Sequence, residues 1–244
     1  MRYYKAMNKD LTCRDFQYEI GKTYELPKDV ELKLCENGFH FCDILNACFN
    51  YYNKDNSIIC EVEPLGEVIH DEYDNKLVTD KIKIVRQLSD EEVEEQRYII
   101  QDGVTFIGNS TFYKCTNLKE ITIPNSVTYI GNSTFCNCTS LKEINIPNNV
   151  TFIGNDAFAW CISLKEITIP NSVTFIGNDA FAWCINLKEI TIPNSVTYIN
   201  KYAFYNCNSL ETICVPTDFD IEILENCELK EEIPLLKQVK IIRI

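Results

Sequence analysis

A small α+β domain followed by a solenoid of stacked repeats is the α/β fold class that this 244-residue sequence predicts. Three observations support the prediction. The second half of the chain repeats every 23 residues, its strand-like segments alternate apolar and polar residues, and the first 88 residues mix strand and helix signals without a period. A fixed period of this length indicates stacked units that cannot bury their apolar faces alone.

Five copies of the repeat follow one another without a gap over residues 104–218. The copies at residues 150–172 and 173–195 differ only where Ser163 is replaced by Asn186. Because at least three stacked repeats are generally needed for stability, five copies are enough to form a folded unit.

Each copy has the pattern of two short strands and a short helix. In the copy at residues 173–195, residues 187–192 end in apolar–polar alternation, and residues 173–176 read as a second extended piece. Asp179 is placed to cap one or two helical turns over residues 180–184. The sequence therefore predicts a solenoid of short strands and short helices.

Aligned copies place identical apolar side chains in rows, which we expect to fill one continuous core. The rows are Phe112, Phe135, Phe158, Phe181, Phe204; Cys115, Cys138, Cys161, Cys184, Cys207; Leu118, Leu141, Leu164, Leu187, Leu210; and Ile121, Ile144, Ile167, Ile190, Ile213. With adjacent strands about 4.8 Å apart, five turns give a rod of about 24 Å.

The repeat carries the pattern L-x-x-I-x-I-P-x-x-V-x-x-I-G-x-x-A-F-x-x-C-x-x-L. One instance consists of Leu164, Ile167, Ile169, Pro170, Val173, Ile176, Gly177, Ala180, Phe181, Cys184 and Leu187. This pattern resembles the BspA-like leucine-rich repeat family over residues 98–218, about half of the chain. The resemblance implies a curved leucine-rich repeat solenoid with a role in adhesion or protein recognition.

The first 88 residues read as an α+β domain. Strands are predicted over residues 3–7, 21–26, 30–34, 38–42, 57–64 and 81–87. Asp43 is placed to cap a helix over residues 44–52. The stretch from residues 4–14 to residues 38–42 resembles an uncharacterised domain found at the front of viral and bacterial repeat proteins.

Two further segments flank the repeats. Ser89 and Glu92 form a capping-box signature that opens a linker or capping helix within residues 89–97. The strand positions of a half repeat follow from residue 98. After the last copy, residues 219–244 are predicted to be a C-terminal cap, in which residues 235–244 alternate as a strand that could pair with the last turn.

Charge and composition exclude some functional classes. The net charge is −13, and residues 1–100 hold 13 Lys and Arg against 21 Asp and Glu, so phosphate-mediated nucleic-acid binding is not expected. No apolar run approaches the roughly 18 residues of a membrane span, and the start lacks the apolar core of a signal peptide. We expect thirteen free, mostly buried thiols and a cytoplasmic location; a secreted or host-cell location stays open.

Exposed rows on the solenoid are the predicted binding surface. The candidate residues are Glu120, Glu143, Glu166 and Glu189; Thr122, Asn145, Thr168 and Thr191; and Trp160 and Trp183. A lysine row (Lys119, Lys142, Lys165, Lys188) runs beside the glutamates, so the alternative is a solvated face on which opposite charges neutralise one another. An aromatic row (Phe106, Tyr129, Phe152, Phe175, Tyr198) either binds a partner or packs against the next turn.

The first domain offers two weaker candidates. His40 and Cys42 share one face of a predicted strand near Cys35, but the spacing lacks the close pair of a typical zinc site. The order of residues 38–41, a helix, Tyr52 and residues 61–68 is similar to the middle of poly-ADP-ribose polymerase catalytic domains. That resemblance implies a nicotinamide pocket lined by His40 and Tyr52, although Tyr4-Lys5-Ala6 replaces the family's His-Gly pair and no catalytic Glu can be placed.

The sequence thus predicts a non-enzymatic protein–protein interaction scaffold without a cofactor or metal. Its partner is an unidentified protein, and an uncovered sheet edge would also permit self-association. The alternative is an ADP-ribosyltransferase-like N-terminal domain, active or degenerate, that the repeats target.

Overall fold

The structure is a computed structural model that describes residues 1–71, 73–225, 227–230, 233–234 and 239–244. The chain divides into two compact units, Met1–Gln101 and Asp102–Ile244. This arrangement of an α+β unit and a repeat solenoid confirms the predicted fold class. Among the described residues, no helix has the length and apolar character needed to span a bilayer.

The first unit is built on a seven-stranded antiparallel sheet in the order β4-β9-β6-β1-β5-β8-β7. Its strands are β1 Tyr3–Asn8, β2 Thr12–Cys13, β3 Phe16–Gln17, β4 Thr23–Glu25, β5 Phe39–Cys42, β6 Ser57–Pro64, β7 Val68–His70, β8 Lys76–Thr79 and β9 Lys81–Gln87. The short strands β2 and β3 pair separately as a ribbon. One core face of the sheet is apolar because Met7, Phe41 and Val62 all point into the same buried cluster.

Three short helices accompany this sheet. They are the 3-10 helices Leu45–Asn50 and Lys54–Asn56 and the α-helix α1, Asp90–Gln96. The predicted capping box is confirmed: Ser89 Oγ accepts from the Glu92 N–H, and the Glu92 side chain accepts from the Ser89 N–H. Acidic residues in the first turn of α1 also suit the positive end of the helix dipole.

Two local predictions in the first unit are wrong. Residues 30–34 hold only an isolated bridge from Lys33 to Asn37 instead of a strand. The helix after β5 is a 3-10 helix, and Asp43 does not cap it. The buried Asp43 carboxylate instead accepts a hydrogen bond from Asn75 Nδ2 at 3.0 Å, a partner from a distant segment that local sequence could not reveal.

The repeat unit contains eleven strands and one short helix among its described residues. They are β10 Phe106–Ile107, β11 Tyr129–Ile130, β12 Phe152–Ile153, β13 Glu166–Thr168, β14 Phe175–Ile176, β15 Glu189–Thr191, β16 Tyr198–Ile199, β17 Thr212–Val215, β18 Glu228–Lys230, β19 Ile233–Pro234 and β20 Lys240–Arg243, with α2 at Glu222–Glu225. Equivalent strands of successive copies lie side by side in two parallel sheets, which confirms the predicted stacking. The first sheet is β10-β11-β12-β14-β16, and the second is β13-β15-β17-β20.

The predicted interior rows form the core of this unit. All five phenylalanines of the row are fully buried, and neighbouring rings stack with centroids 5.3 to 5.9 Å apart. The cysteine and leucine rows are buried as well. In the isoleucine row Ile121, in the first copy, is only half-buried.

The segment predicted as a helix in each copy is a run of turns. In the fourth copy, residues 178–183 turn through local bonds such as Ala182 N–H to Asp179 O at 3.0 Å. Asp179 has φ 53° and Trp183 has φ 62°, so Asp179 lacks the extended backbone of a helix N-cap. The three-residue spacing of apolar side chains that suggested a helix comes instead from successive turns.

The C-terminal strand β20 pairs in parallel with β17 and covers the last edge of the second sheet. Arg243 Nη1 donates to the carbonyl oxygens of Pro216, Thr217 and Phe219 at 3.2, 2.6 and 3.3 Å. The strand predicted over residues 235–244 is therefore present at Lys240–Arg243, and residues 235–238 lie outside the described residues.

Candidate functional site

The exposed rows of the repeat unit are held in register by backbone hydrogen bonds between successive turns. The N–H groups of Phe158 and Trp160 donate to the carbonyl oxygens of Ala180 and Ala182, each at 2.8 Å. Because these donors point along the stack, equivalent side chains recur at roughly the strand spacing of about 4.8 Å. The backbone thus fixes where each exposed side chain emerges.

The predicted glutamate and threonine rows follow the second sheet. Glu166 pairs in register with Glu189, and Thr168 pairs with Thr191. Two copies earlier, Thr122 and Asn145 form a bridge at the equivalent positions. Glu120, Glu143, Glu166, Glu189, Thr122, Asn145 and Thr168 are exposed, and Thr191 is half-buried. The eight residues therefore form two adjacent polar rows on one side of the repeat unit.

The neighbouring lysines do not neutralise the glutamates directly. Lys119, Lys142, Lys165 and Lys188 are exposed, and within the described part of the chain no ion pair joins them to the glutamate row. The carboxylates of the row consequently face solvent.

The predicted tryptophans lie on a different element from the glutamates. Trp160 and Trp183 occupy the turn segments of successive copies, and their rings stack with centroids 4.4 Å apart. Trp160 is 40% exposed, so the pair presents an apolar face to solvent. The structure therefore brings the tryptophans together with each other but places them apart from the acidic row in each turn.

The aromatic row of the first sheet packs mainly against itself. Tyr129, Phe152, Phe175 and Tyr198 stack with neighbouring centroids 4.7 to 5.2 Å apart, whereas Phe106 meets Tyr129 edge-on at 6.4 Å. Only Tyr198, at the end of the row, is classed as exposed. This geometry favours the interpretation in which the row packs against the next turn.

Sequence reasoning missed two polar ladders that tie the copies together. Asn109 Oδ1 accepts from the Asn132 N–H at 2.7 Å, and Asn132 Oδ1 accepts from the Asn155 N–H at 2.8 Å. Threonine hydroxyls at Thr128, Thr151, Thr174 and Thr197 each donate to the carbonyl of the threonine one copy earlier. The signal was visible as a Thr in all five copies and an Asn in the first four, with Lys201 in the fifth, and the function it indicates is structural.

The first unit contains a cleft of about 530 Å³ next to β1 and β5. Its buried base includes Ala6, Phe41 and Cys48, and its rim includes Tyr51 and Tyr52. Lys5, Arg14, His40, Lys76, Tyr4, Cys13, Cys35, Cys42 and Asn50 complete the lining. Among these described lining residues none is acidic, although the unit as a whole is negatively charged. Separate chain segments meet here, so sequence spacing gave no signal for this basic surface.

His40 lies among the cations of this cleft. Its Nε2 accepts the backbone N–H of Cys35 at 3.0 Å, which assigns that nitrogen as unprotonated. Burial, followed by the positive charges of Lys5, Lys76 and Arg14, lowers the pKa of His40 to about 4. The imidazole is therefore neutral near pH 7.

The metal-site hypothesis gains no support from this geometry. His40 and Cys42 do line the same cleft. Across the residues that the structure describes, however, no three His, Cys, Asp or Glu side chains are grouped to hold a metal ion. A hydrogen bond with Cys48, together with burial, raises the pKa of the Cys42 thiol well above its usual range, so it is not an activated nucleophile.

The structure contains the cavity that the transferase-like alternative requires but no catalytic Glu in its described lining. His40 and Tyr52 line the cleft together, as the resemblance implies. Tyr52 donates its hydroxyl hydrogen to Cys13 Sγ at 2.9 Å. Because no carboxylate is found among the described lining residues, the catalytic Glu of that resemblance has no counterpart here. The alternative stays a prediction.

Two family models match the chain. The model of the BspA type leucine rich repeat region matches residues 105–230 in six copies, and a domain of unknown function (DUF7666) matches residues 1–96. These matches confirm the resemblances to the BspA-like leucine-rich repeat family and to the uncharacterised N-terminal domain. No curated protein matches the chain.

Solved structures of bacterial leucine-rich repeat proteins are similar to parts of this chain. A leucine rich repeat protein of T. pallidum is 36% identical, with 47% of this chain and 54% of that chain covered and a TM-score of 0.45. A leucine rich cell surface protein of Faecalibacterium prausnitzii is 38% identical over 53% and 34% of the two chains, with a TM-score of 0.49. The pneumococcal vaccine antigen PcpA is 21% identical over 61% and 42%, and its TM-score of 0.51 indicates a shared fold. The chain spans about half of the first protein and about a third of the second.

Proposed function

Because this chain belongs to the BspA-type leucine-rich repeat family, we propose that its repeat unit is a non-enzymatic scaffold that binds another protein. The proposed surface is the acidic face, defined as the glutamate row Glu120, Glu143, Glu166 and Glu189 together with the adjacent row Thr122, Asn145, Thr168 and Thr191. Repeat solenoids offer extended surfaces of this kind to partners.

The observation that carries the proposal is the in-register pairing of Glu166 with Glu189. Like charges directly opposite one another on neighbouring strands are destabilising. No lysine of the adjacent row lies within ion-pair distance of either carboxylate in the described structure. A partner that presents Lys or Arg side chains would relieve this repulsion, so we expect the partner surface to be basic.

The rigidity of the acidic face supports the same proposal. Backbone ladders such as Glu166–Thr168 against Glu189–Thr191 already fix the strands. Little conformational entropy is then lost on binding, which improves affinity for a given contact area. The threonine hydroxyls offer hydrogen bonds beside the carboxylates. The Trp160–Trp183 pair is a second contact candidate on the turn segments, since exposed Trp residues are enriched at binding hot spots.

A charge-neutralised variant tests the proposal. The four glutamates Glu120, Glu143, Glu166 and Glu189 are changed to Gln in the full chain, and proteins captured from an extract are compared with those captured by the unchanged chain. The matched control changes Lys119, Lys142, Lys165 and Lys188 to Gln. We expect the specific partner to be lost with the glutamate variant alone and to dissociate with rising salt. If the glutamate variant keeps the partner and the Trp160→Ala, Trp183→Ala variant loses it, the binding site lies on the turn segments and not on the acidic face.

The proposed setting is a reducing compartment, in keeping with a cytoplasmic location. All thirteen cysteines are free in the structure, and only Cys35 is exposed. Intracellular thiols are kept reduced, whereas exported proteins tend to pair them. A secreted or host-cell location is the competing outcome, and it predicts few free thiols in the denatured protein.

A further inference from the structure

The basic cleft of the first unit, defined above by its lining residues, concentrates positive charge in a negatively charged unit. Lys5, Arg14 and Lys76 come from β1, the β2–β3 ribbon and β8, and all three line the same cavity. Among the described lining residues none is acidic. A surface of one sign inside a cleft attracts ligands of the opposite sign more strongly than an open surface does.

The burial of Lys5 is the main support for this inference. Its side chain is nearly completely buried, with the residue only 4% exposed. Its ammonium group donates to the carbonyl oxygen of His40 at 2.8 Å and lies 5.2 Å from the centre of the Tyr18 ring. Within the described part of the chain, no carboxylate pairs with it. Buried charges in proteins are normally paired, so this lysine lacks the counter-charge that its burial demands.

The other two cations also lack carboxylate partners among the described residues. Lys76 Nζ contacts Cys35 Sγ at 2.9 Å and lies 5.0 Å from the centre of the Tyr51 ring. The nearby Asp74 binds the Tyr51 hydroxyl at 3.1 Å instead of a cation. Arg14 is exposed at the rim, where its five N–H donors suit an anion with several oxygens.

We propose that this cleft binds the phosphate group of a small organic phosphate, with Lys5, Lys76 and Arg14 supplying its counter-charge. Phosphate matches three convergent cations better than a single carboxylate does, because it carries more charge and more acceptor oxygens. The apolar base at Ala6 and Phe41 and the rim tyrosines Tyr51 and Tyr52 leave room for a non-phosphate part. The cavity of about 530 Å³ lies within the range of small-molecule sites. After burial, the positive charges of Lys5, Lys76 and Arg14 all lower the pKa of His40, so all three act at this cleft.

Binding of defined anions to the full chain tests this inference. Isothermal titration calorimetry at low salt would use ADP, pyrophosphate and uncharged adenosine as probes. We expect ADP or pyrophosphate to bind and adenosine not to bind. The ratio of the ADP affinity to the pyrophosphate affinity shows whether the organic part contributes. High salt should weaken the binding.

Variants place the binding at the cleft. Lys5→Met keeps the apolar stem, and Arg14→Gln changes an exposed residue. We expect each to weaken anion binding by about tenfold, as for loss of one charged contact. Lys28→Gln, an exposed cation outside the cleft, should leave affinity unchanged. Lys5→Met removes the hydrogen bond to the His40 carbonyl oxygen but also a buried charge without a carboxylate partner, so we expect the melting temperature to change little. The inference is overturned if neither anion binds, if adenosine binds as well as ADP, or if Arg14→Gln and Lys5→Met both retain full affinity.

Discussion

The thiol of Cys184 donates a hydrogen bond to the main-chain carbonyl oxygen of Phe158, with 3.1 Å between Sγ and O. Cys138, Cys161 and Cys207 make the same bond to the phenylalanine one copy earlier. Burial raises the pKa of Cys207 to about 12, so that thiol keeps its proton at neutral pH. A buried cysteine therefore both fills the core layer and serves as a weak donor between turns.

Replacing Cys184 by Ala should destabilise the repeat unit by about 1 to 3 kcal/mol, because it removes a fully buried sulfur and its hydrogen bond. Urea unfolding followed by tryptophan fluorescence reports the repeat unit, since both tryptophans, Trp160 and Trp183, lie in the repeats, and circular dichroism in the same titration reports both units. The control is Cys35→Ala, at an exposed position, where a change of no more than about 0.5 kcal/mol is expected. Equal effects of the two substitutions would contradict a role for the thiol row in the core.

Thiol labelling should separate Cys35 from the rest of the cysteines. Cys35 is exposed, Cys13 is half-buried, and the other eleven are buried. We expect the native chain to be alkylated first at Cys35 and all thirteen thiols to react after denaturation, as read by mass spectrometry of protein extracted under alkylating conditions. Cys35→Ser should remove the fast phase. Finding only a few reactive thiols in denatured protein would indicate that most cysteines form disulfides, and would favour an exported surface protein.

The period of the repeat was sufficient to predict the core rows and the parallel stacking, because identical residues at a fixed spacing have to share one layer. It did not reveal the turn conformation of residues 178–183. Phe181 and Cys184, three residues apart, share one side of the chain in a helix and in a run of turns alike. The hydrogen bonds that select the turns, such as that from the Phe181 N–H to Ala203 O, are made with the next copy.

The first unit was predictable only where local pattern determined the outcome. The strands β6 and β9 and the helix α1 match their predicted bounds, since alternation and a capping box are local signals. The basic cleft was not predictable, because Lys5 and Lys76 are brought together by the pairing of β1 with β5 and of β5 with β8. Residues 1–100 carry a net negative charge, so composition alone predicted an acidic surface for this unit and not a basic cleft.

Gly154 is required by the close approach of neighbouring turns. A Cβ atom at this position would lie 2.6 Å from the carbonyl carbon of Gly131 and 2.7 Å from the Asn132 nitrogen, both backbone atoms. Gly154→Ala should therefore cost at least about 2 kcal/mol through overpacking. Urea unfolding by tryptophan fluorescence again measures the effect.

The last copy provides the matched control for this substitution. Asn200 occupies the equivalent position, where the backbone already accommodates a Cβ, and its N–H bond to Ile176 O is longer, at 3.3 Å. Asn200→Ala should cost less than about 1 kcal/mol. If Gly154→Ala were tolerated equally well, the close approach between turns would not be what excludes a side chain there.

The stability of the first unit should depend on pH through two opposing groups. Burial raises the pKa of Asp43 from 3.8 to about 6, so the native state holds more protons than the unfolded chain between these values, and stability falls as pH rises across them. Burial and nearby cations lower the pKa of His40 from 6.5 to about 4, so the unfolded chain holds more protons, and stability rises with pH over that range. The two effects should largely offset each other in the unchanged protein.

Substituting either group should expose the effect of the other. Asp43→Asn keeps the acceptor for Asn75 Nδ2, and its stability should rise from about pH 4 to about pH 6.5 because, of the two groups, only His40 still titrates. His40→Gln cannot titrate, and its stability should fall between about pH 4 and pH 6 as Asp43 ionises in its buried site. Urea unfolding followed by circular dichroism at several pH values measures both slopes. Parallel pH profiles for the two variants would show that neither buried group governs acid stability, because their contributions must have opposite signs.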